Sequence, residues 1–116
     1  MECDPTLLRP VAGVRAVALA GELDAPDASR LAASLDREIR EGATRLVVNL
    51  SGVTFATLAA LRALLEARAR ARERGGELVL SAPSPFVRSV LSTVGLDGAF
   101  SVFPGDIEAM RYLRDR

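Results

Sequence analysis

Leu46-Val47-Val48-Asn49-Leu50 is a nearly continuous apolar run broken by one amide, the pattern of a central strand covered on both faces. After it, Ser51-Gly52-Val53-Thr54-Phe55 reads as a loop and Leu58 to Arg74 as a helix with Leu61, Leu64 and Leu65 on one face, stopped by Gly75-Gly76. Before it, Ala28, Leu31, Leu35 and Ile39 recur at three- and four-residue steps. That stripe belongs to a helix that begins near Pro26 and Asp27 and ends at Gly42. Further out, Val14 to Ala20 is a strand, and Thr6 to Val11, interrupted by Pro10, is an edge strand. The short Ala12-Gly13 link between them predicts an antiparallel hairpin.

On the carboxyl side, Glu77 to Ser81 is a second buried strand, and Ser84-Pro85 supplies an N-cap followed by proline. The helix that follows is expected to bury Phe86, Val90 and Val94 and to stop at Gly95. Phe100 to Phe103 forms a short last strand, and Asp106 caps a final helix that uses Ile107, Met110 and Leu113. The order is ββαβαβαβα. It describes one α/β domain over residues 1–116, with a mixed β-sheet opened by an antiparallel N-terminal hairpin and covered by helices.

Composition narrows the chemistry. Fifteen basic residues, all arginine, balance fifteen acidic ones, which removes the electrostatic warrant for binding nucleic acid or an anionic membrane. Histidine is absent, and with it the commonest general base and metal ligand. Cys3 is the single cysteine, so neither an internal disulfide nor a cysteine-based zinc site can form. No run approaches the ~20 apolar residues of a membrane span, and the acidic N-terminus is unlike a secretory signal. A cytoplasmic protein is expected, with no catalytic residue, no metal and no cofactor. Gly75-Gly76 is a helix stop and no phosphate-cradling glycine pattern occurs. The run from Arg68 to Arg74 reads as a solvated helix end, its cations complementing the helix dipole. Glu66 and Arg70 stand four residues apart and can pair.

Gly21-Glu22-Leu23-Asp24, Leu46-Val47-Val48-Asn49-Leu50, Val53-Thr54-Phe55, Gly75-Gly76-Glu77-Leu78 and Val94-Gly95-Leu96, in this order and spacing, resemble the STAS domain family. Its best-known single-domain members are bacterial anti-sigma factor antagonists. The resemblance implies a binding module that pairs with a serine kinase that is also an anti-sigma factor. In the family, a motif reading Asp-Ser-Ser/Thr-Gly opens the second helix. Here that stretch is Thr57-Leu58-Ala59-Ala60, so the phosphorylatable serine falls at Leu58, a degenerate phosphosite, and the aspartate falls at Thr57.

A helix amino end can hold a phosphoserine locally while the added dianion disrupts a partner's apolar surface. Without a hydroxyl at position 58 that switch is lost. Thr57 keeps a hydroxyl, whose plainer role is to cap the helix. Leu58 falls at the margin of the core stripe near Leu65, with Ala59 and Ala63 outward. Together with Asp24, which the resemblance places on the partner face, Thr57, Leu58, Ala59 and Ala63 form the candidate partner-binding surface. Two plainer readings stand beside it: Leu58 completing the core, and Asp24 capping the first helix. Asn49 orients the neighbouring loop or makes a purely structural bond. The function implied is an unswitched antagonist. The alternative is a STAS-like adaptor in a transporter or stress-signalling assembly, and the oligomeric state is left open.

Overall fold

The computed structural model describes residues 14–115 and the backbone of Thr6 and Leu7. Nine elements follow in chain order: β1 (Thr6–Leu7), β2 (Arg15–Leu23), α1 (Ala25–Arg40), β3 (Arg45–Ala56), α2 (Leu58–Glu73), β4 (Glu77–Ser81), α3 (Pro85–Thr93), β5 (Val102–Phe103) and α4 (Asp106–Arg114). The five strands lie in sequence order across one sheet.

Period-two alternation decides how that sheet is covered. Val17 and Leu19 of β2, Leu46, Val48 and Leu50 of β3, and Leu78 and Leu80 of β4 join one large core with buried residues of α1, α2 and α3. The intervening Ala16, Val47 and Val79, with Val14, form a second, smaller core against Ala109 and Leu113 of α4. Three successive crossovers in one direction of strand order place their helices on a common face, and α4 returns across the other. The apolar runs of β3 and β4 are therefore continuous because both faces are dry.

The expected N-terminal hairpin is overturned. Four parallel strands, β2 to β5, carry the sheet in βαβαβαβα order. β1, Thr6–Leu7, pairs antiparallel with Ala18 and Val17, and the remainder of the predicted strand, through Val11, lies outside the described residues. The proposed turn at Ala12-Gly13 lies outside the described residues. A two-residue contact stabilises little by itself, whereas each parallel strand is held by its crossover helix.

Three further expectations are corrected. Residues 51–55 continue β3 instead of looping. The β2–β3 register slips at Ala18/Ala20 and again at Gly21/Glu22, after which Glu22 pairs with Phe55 and Leu23 with Ala56. Gly52 permits this close passage, since a Cβ there would lie 3.1 Å from both the Ala20 Cβ and the Leu19 carbonyl oxygen. α3 buries Val87 and Leu91, not Phe86 and Val94, which stay exposed. In α4, Gly105 is the N-cap and Ala109 and Leu113 are buried, while Ile107 is 69% exposed. The α1 stripe is buried as expected, and Gly42 follows that helix at φ +104°.

The arginine run is a tether more than a solvated end. Arg68 and Arg72 reach the buried Glu77 carboxylate at 3.0 and 3.8 Å, and Arg70 reaches Asp36 of α1 at 3.1 Å. Arg74 donates to the Ile39 carbonyl at 3.3 Å. The end of α2 is thereby tied to both β4 and α1.

Candidate functional site at the tip of the second helix

Leu23 and Ala56 are register partners at the ends of β2 and β3. Their successors, Asp24 and Thr57, are the N-caps of α1 and α2, so two helix amino ends start side by side. Asp24 Oδ1 accepts from the Asp27 amide at 3.2 Å, the geometry of an N-cap that satisfies an otherwise orphaned donor. Thr57 Oγ1 accepts from the Ala60 amide at 3.3 Å. Its hydroxyl also donates to the Leu23 carbonyl oxygen at 3.2 Å, beside the 2.9 Å bond from its own amide.

Leu58, the first residue of α2, is 45% exposed and Ala59 is exposed, whereas Ala60 is buried. Ala63 is only 6% exposed: the close approach of α1 and α2 covers the outward position expected for it. It lines a shallow trough of about 390 Å³ between these helices, together with Ala28, Ser29, Ala59 and Arg62. Four of the five sequence-chosen residues, Asp24, Thr57, Leu58 and Ala59, thus surround the two helix starts, and Ala63 lies mostly beneath the surface.

Two features escaped the sequence reading. Phe55, at the end of β3, stacks on Phe86 of α3 with ring centroids 5.8 Å apart and planes inclined by 28°; the rings remain 43% and 44% exposed. The Phe86–Val90–Val94 spacing predicts a core position for Phe86, but the buried stripe of α3 runs one residue later, through Val87 and Leu91. The second is a polar cluster below the first turn of α4. Asp106 Oδ1 accepts from Asn49 Nδ2 at 3.0 Å and from the fully buried Ser81 hydroxyl at 2.5 Å. Asn49 Oδ1 in turn accepts from the Ser51 amide and hydroxyl at 2.8 and 2.7 Å. Asn49 therefore serves both of its readings, shaping the chain that follows it and bonding α4. Only sequence distance hides this cluster, since Asp106 is remote from both partners.

Residues 11–107, which carry β2 to β5 and both helix starts, match the family model described as Mlab, STAS domain. The chain belongs to the STAS domain family. It is 32% identical over 92 residues to BtrV, a candidate anti-sigma factor antagonist of Bordetella bronchiseptica, a match that covers 79% of this chain and 77% of BtrV. The fold is shared with an anti-sigma factor antagonist from Mycobacterium paratuberculosis at a TM-score of 0.86 and 24% identity, over 98% of this chain and 96% of that one. It is also shared with a sulfate transporter family protein from Wolinella succinogenes at 0.76 and 25%, over 92% and 88%. The chain is thus a STAS domain that resembles anti-sigma factor antagonists. Among the described residues no helix is long and apolar enough to cross a membrane.

Proposed function

We propose that this chain is a cytoplasmic regulatory module that captures an anti-sigma factor kinase through the surface around Asp24, Thr57, Leu58 and Ala59, without a phosphorylation switch at position 58. The module acts by binding and performs no catalysis itself. The observation that carries the reading is the half-exposed Leu58 at the first position of α2, directly after the Thr57 cap.

The physical consequence follows from what that position lacks. A helix start favours a phosphate through its unpaired amides and dipole, but a leucine offers a kinase no oxygen to modify. Its hydrocarbon is instead available to an apolar partner surface. Thr57, one residue earlier, has its hydroxyl committed to Leu23 and Ala60 and does not replace the missing acceptor. The likeness to BtrV supports a partner of the anti-sigma factor class.

Calorimetric titration of the purified chain with the anti-sigma factor kinases of its own genome tests this reading. A complex that persists in ATP and is weakened by Leu58→Asp supports it; no complex with any of them overturns it. Leu58→Ser then asks whether an acceptor alone restores switching. Phosphorylation of that serine with release of the kinase is the expected result.

A further inference from the structure

β4 accompanies β3 as far as Asn49, whose register partner Ser81 is the last residue of β4. Beyond that pair, β3 runs on to Ala56 with β2 as its strand partner. This extension carries both helix starts, because Asp24 and Thr57 directly follow its terminal pair, Leu23 and Ala56. We propose that Asp106 of α4, acting through Asn49, is a positioning residue for those two helix starts.

The extension is bulged at its root. Between the pairs Ala18/Asn49 and Ala20/Gly52, Leu50 and Ser51 of β3 stand against Leu19 of β2. An extra residue of this kind bends its strand and increases the local twist, so whatever fixes the bulge aims the chain beyond it. Asn49 fixes it from outside the ladder: its Oδ1 accepts from both the amide and the hydroxyl of Ser51. The two ends of a side-chain amide are alike in shape, so a neighbour has to select which points where. Asp106 makes that selection, since a carboxylate only accepts and Asn49 Nδ2 donates to its Oδ1 at 3.0 Å. The same oxygen accepts from the Ser81 hydroxyl. One carboxylate of α4 therefore ties the last β3–β4 pair and orients the group that holds the bulge.

Further along, the Ser84 hydroxyl steadies the middle of the extension at the Val53 carbonyl, 3.0 Å away, leaving the root to Asn49. α4 packs against Val47 and Val79 on one face of the sheet, whereas buried residues of α1 and α2 pack on the other. The Asp106–Asn49–Ser51 relay thus crosses from one layer to the other through the edge of the bulge. The positioning does not depend on the proposed function. If that function holds, loss of the relay also weakens kinase capture, although Asp106 is no part of the capturing surface.

Two-dimensional NMR of the full chain, read residue by residue, tests this with Asn49→Ala, Asp106→Ala, their combination and Ser81→Ala. Asp106→Ala should move the amide resonances of Leu23, Asp24, Thr57 and Leu58. It should also speed local exchange of the Thr57 amide about fivefold or more, with little dependence on urea below the unfolding transition. Asn49→Ala should do the same, and the combination should exceed it by no more than about twofold, because Asp106 acts through that amide. Ser81→Ala loosens α4 but spares the Asn49 contact, and should leave the Thr57 amide within about twofold of the original rate. Asp106→Asn keeps an acceptor oxygen, so it should move the same resonances in the same direction by less; it also keeps the test open should Asp106→Ala not fold. Shifts confined to α4 and to Asn49 through Ser51, a combination equal to the product of its two parts, or an equal response to Ser81→Ala overturns the proposal. No kinase is present, so failure of either idea leaves the other standing.

Discussion

Thr57 donates twice to one acceptor: its amide and its hydroxyl both reach the carbonyl oxygen of Leu23, at 2.9 and 3.2 Å. The residue that starts α2 is thus fastened to the last residue of β2, across the sheet's central pair. Thr57→Ala removes the hydroxyl and leaves the Ala60 amide without its cap. It should cost about 1–2 kcal/mol in urea denaturation, with Thr57→Ser losing clearly less.

The same bonds bear on modification. Incubation with ATP and a cognate kinase should leave Thr57 unmodified, because its hydroxyl is engaged on both sides. Phosphothreonine at position 57 in peptide mass spectra would contradict this.

Leu58 discriminates surface from core. Leu58→Asp should change stability by no more than about 0.5 kcal/mol, or raise it by about 0.3–1 kcal/mol at low ionic strength through the dipole of α2. A core leucine would instead lose about 2–5 kcal/mol on truncation. Thermal melting at two salt concentrations separates these outcomes.

Ala63 is limited by space between α1 and α2. Ala63→Leu should destabilise by about 1–3 kcal/mol through overpacking, while Ala59→Leu on the exposed side should be nearly neutral. Paired denaturation curves measure the contrast.

The Asn49–Asp106–Ser81 cluster holds α4 to the far face of the sheet. Asp106→Ala leaves the buried Ser81 hydroxyl without its acceptor and should cost about 1–3 kcal/mol. Adding Ser81→Ala should cost less than the sum of the two single losses, because the orphaned group is then gone. A double-mutant cycle provides the measurement.

Strong local patterns were legible in the sequence. The α1 stripe, the limits of β4, and the capping roles of Asp24, Thr57 and Ser84 all rest on short-range spacing or on a residue's own chemistry. What escaped depends on pairing between distant segments. β3 runs on to Ala56 because β2 accompanies it through two register slips, which nothing in Ser51-Gly52-Val53 announces. Phe86 lies outside because α3 packs through Val87 and Leu91, and a nine-residue helix gives too few turns to fix its phase. Ala63 is covered because a neighbouring helix of small residues comes close. The parallel sheet also prevails over the expected hairpin, since crossover helices stabilise strands that a tight turn alone would not.

The placement of Asp24 and Thr57 immediately after a register pair makes presentation of both helix starts conditional on correct assembly. A chain whose two central strands are mispaired misaligns both helix starts together, so a half-folded copy does not present the surface proposed to capture a partner. Proofreading of the fold is thereby built into the same few bonds that shape that end of the sheet.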